Sequence, residues 1–418
     1  MSIRRLSSHP SFRAFSHPAY VKVWWGGLIS TLGTWMELVA LGIYVTETTG
    51  RAEWMGRITA LAFLPSIVLV PLAGTLADRF DRRAYLAVCT LAQAVIAGAL
   101  AVLAATGRLT LTPLAILCVL HGCMSALTLP VFSAMTAVIL PSEQLHSGLS
   151  LDLAQANLGR IFGPALAALI LTRGGVAWAF VFNTVSFVAV LVALAWMGPV
   201  RRGNPRPGEG LWRGVKRGLL AAREDVGIAA ALGGTLGVAV LISPFIALVP
   251  VLALRVLHGD AATASLLTTV QGVGAVTAAV LAGTLAERWG RGALLERTML
   301  LLGPVAAAYW LSPNVPIAGV FLFVLGALYL LAVGGLRTLC QGRASAELQV
   351  RVSGLFNLVL NLGYSGGVWL QGALGDRLGL RAVTACAALL FFALALSVRV
   401  LLPGRLASLE ARLPPPST

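Results

Sequence analysis

The chain has 418 residues, 58% hydrophobic and only 11% charged. Water-soluble proteins carry roughly 25% charged residues, so this composition excludes a soluble fold and makes lipid the solvent. A net charge of +15 would suit a nucleic-acid partner, but the basic residues are spread along the membrane boundaries instead of forming one patch, and no nucleic acid is expected.

A helix crossing the hydrocarbon layer needs about 20 apolar residues. Twelve such spans are predicted, at 22–46, 55–77, 84–105, 112–138, 147–172 and 177–197, then at 226–252, 261–284, 293–311, 316–338, 353–374 and 380–402. Long continuous apolar runs, without the alternation of barrel strands, predict helices whose backbone groups are paired internally. The first run is too long for a cleaved signal and no small-residue cleavage site follows it, so it is expected to stay as an anchor. Within it Gly26, Ser30, Gly33, Glu37, Ala40 and Tyr44 recur in steps of four and three and form one small, polar stripe. Glu37 lies mid-span on that stripe. Charged groups inside a span are costly and mark function, and burial disfavours the charged carboxylate, as reversible protonation requires. Two readings stand: a proton carrier, or a structural pair with an arginine.

After the second span comes Gly74 to Arg83, GTLADRFDRR, with Gly74, Asp78, Arg79, Arg82 and Arg83 at the end of an apolar helix. A carboxylate there can accept hydrogen bonds from the free N–H groups at the start of a neighbouring helix, where the helix dipole also favours it. Asp78 is the candidate latch; the plain alternative is a basic turn with an ordinary helix-end aspartate. In the fourth span His121, Ser125 and Thr128 make a polar line, which reads either as a relay or as a satisfied interior histidine. The fifth span carries Asp152, Gln155, Asn157 and Arg160. Asp152 and Arg160 are eight residues apart, a rise of about 12 Å, so each needs a partner on another helix. Asp152 is read as gate structure and Arg160 as a partner for substrate or for Glu37. Gly159, Gly163 and Pro164 on the same span permit close helix approach and remove one backbone hydrogen bond.

Residues 198–225 hold seven basic residues and three prolines and form the linker between two halves. Its second part, with Leu211, Trp212, Val215, Leu219 and Leu220 on one helical face, reads either as an interfacial helix on anionic lipid or as a cover for the bundle. The domains follow as 1–197, a six-helix bundle; 198–225, the linker; 226–402, a second six-helix bundle; and 403–418, a tail. The segment Gly283 to Gly292, GTLAERWGRG, echoes Gly74 to Arg83 at a distance of 209 residues, and its Gly283, Glu287, Arg288 and Arg291 take the corresponding places. Half the chain separates the copies, so internal duplication is the simplest account. The eleventh span offers Ser353, Asn357 and Asn361 at helical spacing, either as ligand-facing groups or as helix-to-helix hydrogen bonds.

With the N-terminus inside, 23 of the 31 basic residues fall in inside segments or at the inside ends of spans, seven at the outside (Arg51, Arg57, Arg108, Arg173, Arg255, Arg377, Arg381), and Arg160 lies deep within a span. The asymmetry predicts both termini in the cytoplasm. The five cysteines, Cys89, Cys118, Cys123, Cys340 and Cys386, form no CxxC pair and have no clustered histidines. They read as small buried hydrophobes, with no metal expected.

The two echoing segments resemble the signature of the major facilitator superfamily, Gly-x-Leu-Ala-Asp-Arg-x-Gly-Arg-Arg/Lys. Gly74, Leu76, Asp78, Arg79, Arg82 and Arg83 match; Asp81 stands where the signature has Gly, while Gly290 keeps it and Glu287 replaces the Asp. The runs LGRIFGPALAA from Leu158 and GLFNLVLNLGYSGGVWLQGALGDRLG from Gly354 are similar to the branch that includes macrolide-efflux and siderophore-export proteins. The resemblance implies an all-α membrane protein, twelve transmembrane helices as two pseudo-symmetric six-helix bundles with a substrate path between them. It also implies that Asp78 meets the start of the eleventh span near Ser353, and that Gly159, Gly163 and Pro164 belong to an exporter motif. The larger drug:proton antiporter groups carry an Arg in the fourth span; here Cys118, His121 and Gly122 occupy that stretch, so their relay is not carried over.

No phosphate loop of the form GxxxxGK[ST], no HExxH and no GxSxG occurs, which leaves no encoded ATP drive or hydrolytic site. The expectation is a non-enzymatic, cofactor-free secondary exporter in a bacterial inner membrane. It would be a monomer among membrane lipids, exchanging protons for a small organic substrate such as a drug or siderophore. An importer or lipid flippase is the alternative within transport, and a non-transporting membrane receptor is the alternative outside it.

Overall fold

A computed structural model of the chain describes residues 10–197, 211–345 and 348–401. The side chains at 10, 11, 71, 74, 75, 77–79, 133, 211–216 and 350 lie outside the described residues. Helices account for nearly everything described. A short 3₁₀ turn, Pro10–Ser16, precedes α1 (Pro18–Thr49), α2 (Ala52–Phe63), α3 (Ser66–Arg79), α4 (Arg82–Ala105), α5 (Leu111–Ile139) and α6 (Ser142–Trp196). The linker helix α7 (Leu211–Glu224) leads into a segmented run: α8 (Val226–Gly237), α9 (Phe245–Val251), and a π-helical turn after each, at Val238–Ile242 and Leu252–Val256. Then follow α10 (Ala261–Trp289), α11 (Arg291–Trp310), α12 (Val315–Arg343), α13 (Gln349–Leu378) and α14 (Leu380–Leu401).

Among the described residues nine helical runs are long and apolar enough to cross a membrane. Exposed side chains on them, including Val88, Leu129 and Val280, are large and apolar, the surface that lipid requires. The breaks have local causes. Pro65 lacks an N–H and separates α2 from α3. Asp81 accepts the Ala84 N–H at 2.8 Å and caps α4. The 55 residues of α6 are divided at Gly175, whose φ of 72° no ordinary side chain tolerates well, between the predicted fifth and sixth spans. Gly290 at φ 78° and Gly379 at φ 95° turn the chain between α10 and α11 and between α13 and α14.

The chain divides into two compact units, Met1–Tyr44 with Leu61–Glu209, and Val45–Ala60 with Gly210–Thr418. In the first, α3 packs on α5 and α4 on α6; Leu86, Val131, Met135, Val190 and Leu194 fill the space between α4, α5 and α6. In the second, α10 packs on α12 and α11 on α14. The same partner choice therefore recurs in each unit, with the helix before the echoed motif paired to one neighbour and the helix after it to another. The linker helix packs on α13 through Gly218, which faces Leu355; its Ala221 is buried, while Leu219 and Leu220 stay exposed.

In the second unit α8 begins under a carboxylate. Asp225 accepts the N–H groups of Gly227 at 2.7 Å and Ile228 at 3.0 Å. Its two oxygens also take Arg343 Nε at 2.6 Å and Nη2 at 2.8 Å, a bidentate pair closing α8 onto the end of α12. The Arg343 guanidinium holds the Asp225 carboxyl below its ordinary value of 3.8, with the two backbone donors adding to the effect against partial burial.

Candidate functional site

The polar stripe of α1 faces α6. Gly33 lies against Asn183 and Ser186, where a β-carbon would collide with both, and one turn on, Glu37 accepts a hydrogen bond from Asn183 Nδ2. Ser186 Oγ donates to the Asn183 side-chain oxygen at 2.9 Å, so the amide is fixed with its NH₂ group toward the carboxylate. From α5, His121 Nδ1 stands 3.5 Å from Glu37 Oε1. Glu37 is 9% exposed. A carboxylate, an imidazole and an amide thus meet inside the first unit, mid-way along three apolar helices. The imidazole Nδ1 donates or accepts according to its tautomer, while the carboxylate accepts.

Two sequence-derived candidates, Glu37 and His121, are brought together here. Asp152 lies elsewhere: it accepts Tyr20 Oη at 2.8 Å and Thr136 Oγ1 at 2.6 Å. Around it the Trp24 indole donates to the Leu151 carbonyl at 3.0 Å, and Ser147 Oγ accepts the Ala14 N–H at 3.2 Å. These bonds pin the start of the chain to α6, so Asp152 anchors one end of the unit. Arg160 places its guanidinium over the Trp35 ring at 5.8 Å, within cation–π range. Gly159 faces Thr31 and Gly163 faces Trp35, both too closely for a β-carbon, while Pro164 sits inside α6.

At the motif copies, the side-chain places of Gly74, Asp78 and Arg79 lie outside the described residues. Arg83 donates to the Ala195 carbonyl at 2.8 Å. Gly283, Glu287, Arg288 and Arg291 are exposed at the end of α10 and start of α11. On α13, Asn357 is exposed, Asn361 half-buried, and Ser353 accepts from Gln341 Nε2 at 2.9 Å.

Three groups were not singled out by sequence spacing. Asn183 and Ser186 are polar residues in an otherwise apolar sixth span, a signal of the same kind as Glu37. Ser243, buried between the two π turns, lies 3.2 Å from Tyr329 Oη, and Gln371 Nε2 serves the Val240 and Leu241 carbonyls at 2.8 and 3.1 Å. The third is Asp376, at the end of α13. Among the described residues no cluster of three or more His, Cys, Asp or Glu could hold a metal ion.

The sequence profile of the transmembrane secretion effector family matches residues 9–417. Macrolide efflux protein A of Streptococcus pyogenes is 24% identical over 368 residues, covering 86% of this chain and 90% of that protein. The enterobactin exporter EntS of Citrobacter koseri is 25% identical over 380 residues, covering 90% of this chain and 88% of that one. Among solved structures, the nucleoside transporter NupG superposes with a TM-score of 0.75 at 10% identity, covering 92% of this chain and 99% of that one. A D-xylose-proton symporter superposes with a TM-score of 0.67 at 16% identity, covering 90% and 96%. The fold is that of major facilitator transporters.

Proposed function

We propose that this chain, which belongs to the transmembrane secretion effector family and is a multi-pass membrane transporter of the major facilitator type, not an enzyme, exports a small organic compound in exchange for protons. The efflux role carried by the relatives, a macrolide in one and enterobactin in the other, supports export and a cargo of drug or siderophore class. The carrying observation for proton exchange is the buried Glu37 carboxylate, with His121 at 3.5 Å and Asn183 on its other side. With the proton on Glu37, the carboxyl is neutral and its hold on the Asn183 NH₂ weakens. With the proton released, the carboxylate draws both neighbours in. Cargo that needs the ionised Glu37 carboxylate, as a cation or a hydrogen-bond donor does, would then compete with the proton for that one group, the thermodynamic requirement for exchange.

In this reading the chain spans the membrane twelve times as two six-helix bundles, residues 1–197 and 226–402, joined by the linker 198–225. Both termini and the tail at 403–418 are cytoplasmic, the membrane is the bacterial inner membrane, and the working unit is a monomer among lipids. The bundles alternate access to the two sides, and Asp78, Arg79, Arg82 and Arg83 with Glu287, Arg288 and Arg291 form the inner gate. Arg160, Asn357 and Asn361 line the path.

The test is efflux of a macrolide and of enterobactin from cells with and without the protein. Faster loss of one cargo with the protein present, abolished by an uncoupler, is the expected result. Export that persists after collapse of the proton gradient removes the proton. Glu37→Gln is expected to insert normally and lose at least about tenfold in coupled export, and full activity in that variant removes Glu37 as the carrier.

A further inference from the structure

The second unit includes the short hairpin Val45–Ala60, the end of α1 and the start of α2. Helix α2 begins with Ala52, and the residue before it is Arg51, which offers no oxygen to its free N–H groups. A distant residue does. Asp376 Oδ1 accepts the Ala52 N–H and Oδ2 the Glu53 N–H, each at 2.9 Å. Arg255, at the end of the segmented α8–α9 run, donates to Oδ1 at 3.0 Å, and Arg51 Nε stands 3.9 Å from Oδ2. The Asp376 side chain is only 8% exposed. Glycines make this seat possible: Gly372 would clash with the Ala52 carbonyl, and Gly56 with the Trp369 backbone, if either bore a β-carbon.

The surrounding sequence is Gly372 to Arg381, GALGDRLGLR. It agrees with GTLADRFDRR at five of ten positions, Gly372, Leu374, Asp376, Arg377 and Arg381, and shares Gly379 with GTLAERWGRG, while Leu380 replaces the arginine of both. Asp376 takes the place of Asp78 and Glu287, Arg377 that of Arg79 and Arg288, and Gly379, with φ 95°, that of Gly290 with φ 78°. This copy ends α13 instead of α3 or α10, so in the proposed topology it lies on the outer face. Three-span repeats of inverted topology within each bundle would put a copy there.

We propose that Asp376 is the latch of an outer gate. Its carboxylate holds the hairpin Val45–Ala60 to the ends of α13 and the α8–α9 run when the outside is shut, and releases it when the outside opens. The inference rests on the topology proposed above for the word outer, and on the geometry alone for the latch. A carboxylate is suited to this work because its bonds to the helix start are charge-assisted and directional, yet water can replace them once the seat opens. No covalent change is needed.

The experiment uses the full chain with its five cysteines replaced and nitroxide labels on Thr48→Cys and Leu378→Cys, both exposed positions flanking the seat. Label-to-label distances are measured in lipid nanodiscs. The parent should give a dominant short distance. Asp376→Asn should raise the population of a longer one by about tenfold, the effect of losing one charge-assisted hydrogen bond, and Asp376→Glu should restore most of the short distance. Arg255→Gln, which removes a partly exposed partner and leaves the helix cap, should shift the distribution in the same direction by less, and carries the test if Asp376→Asn does not fold. Unchanged distances in the folded variants overturn the latch, even if export falls. Labelling of Leu378→Cys by an impermeant maleimide in intact cells separates the two readings: labelling only from the inside overturns the outer placement and leaves the distance result to judge the latch. None of these readouts needs a known cargo.

Discussion

Asp225 and Asp376 do nearly the same chemistry at two places in the second unit. Each carboxylate accepts two backbone N–H groups at a helix start, and each is paired with an arginine. They differ in whose helix they cap. Asp225 caps the helix it introduces and ties it to Arg343, whose side chain is 5% exposed; its carboxylate partners are Gly227, Ile228 and Arg343. Asp376 caps a helix more than 300 positions earlier in the chain, with arginines that are about half exposed. The same set of atoms therefore serves as a permanent fastening when it caps its own helix and its arginine is buried. It becomes releasable when its partners sit on a separate hairpin within reach of water.

Substitution tests this contrast most strongly at Asp225. Asp225→Ala strands the buried Arg343 guanidinium and is expected to cost about 3 kcal/mol, seen as a lower unfolding midpoint in detergent; an unchanged midpoint would mean the pair holds nothing. Acid should act on the same fastening. Because the folded carboxyl sits below its ordinary value of 3.8, its contribution is complete above that value and is lost as pH falls through the depressed folded value. Stability measured from pH 6 downward should decline more steeply in the parent than in Asp225→Ala. A smaller effect is expected at the start of α10, where Asp260 and Thr263 form a reciprocal capping box. Asp260→Ala should lower the midpoint by about 1 kcal/mol and leave transport intact. For Asp376→Asn the change in unfolding is bounded at about 1.4 kcal/mol, the tenfold shift between folded populations converted to energy, and stays well below that of Asp225→Ala. A midpoint loss equal to that of Asp225→Ala would put the two carboxylates in one class and end the comparison.

The all-helical, apolar character could be read from the sequence because lipid makes hydrophobic length a local property, and nine runs of spanning length stand among the described residues. Their segmentation was partly readable: Gly175, Gly290 and Gly379 lie between apolar runs, but the π turns around Ser243 and Pro244 leave no mark in hydropathy. The charged fastenings could not be read, since they join residues far apart in the chain, 118 positions for Asp225 and Arg343 and 324 for Ala52 and Asp376. Glu37 stood out by its isolation in an apolar helix, yet its amide partner, 146 positions away, did not. Asp81 shows the converse. It departs from the family signature, and the structure gives the reason: as a cap it starts α4 by side-chain chemistry where the second copy uses a glycine with positive φ.

The hairpin Val45–Ala60 leaves its own half of the chain and joins the other compact unit. Cutting the polypeptide in the linker would thus not yield two self-sufficient pieces, since the front fragment would retain a segment whose docking surface is on the back fragment. Co-produced fragments should seek each other and reassemble, whereas either one produced alone should be cleared by the cell's proteases.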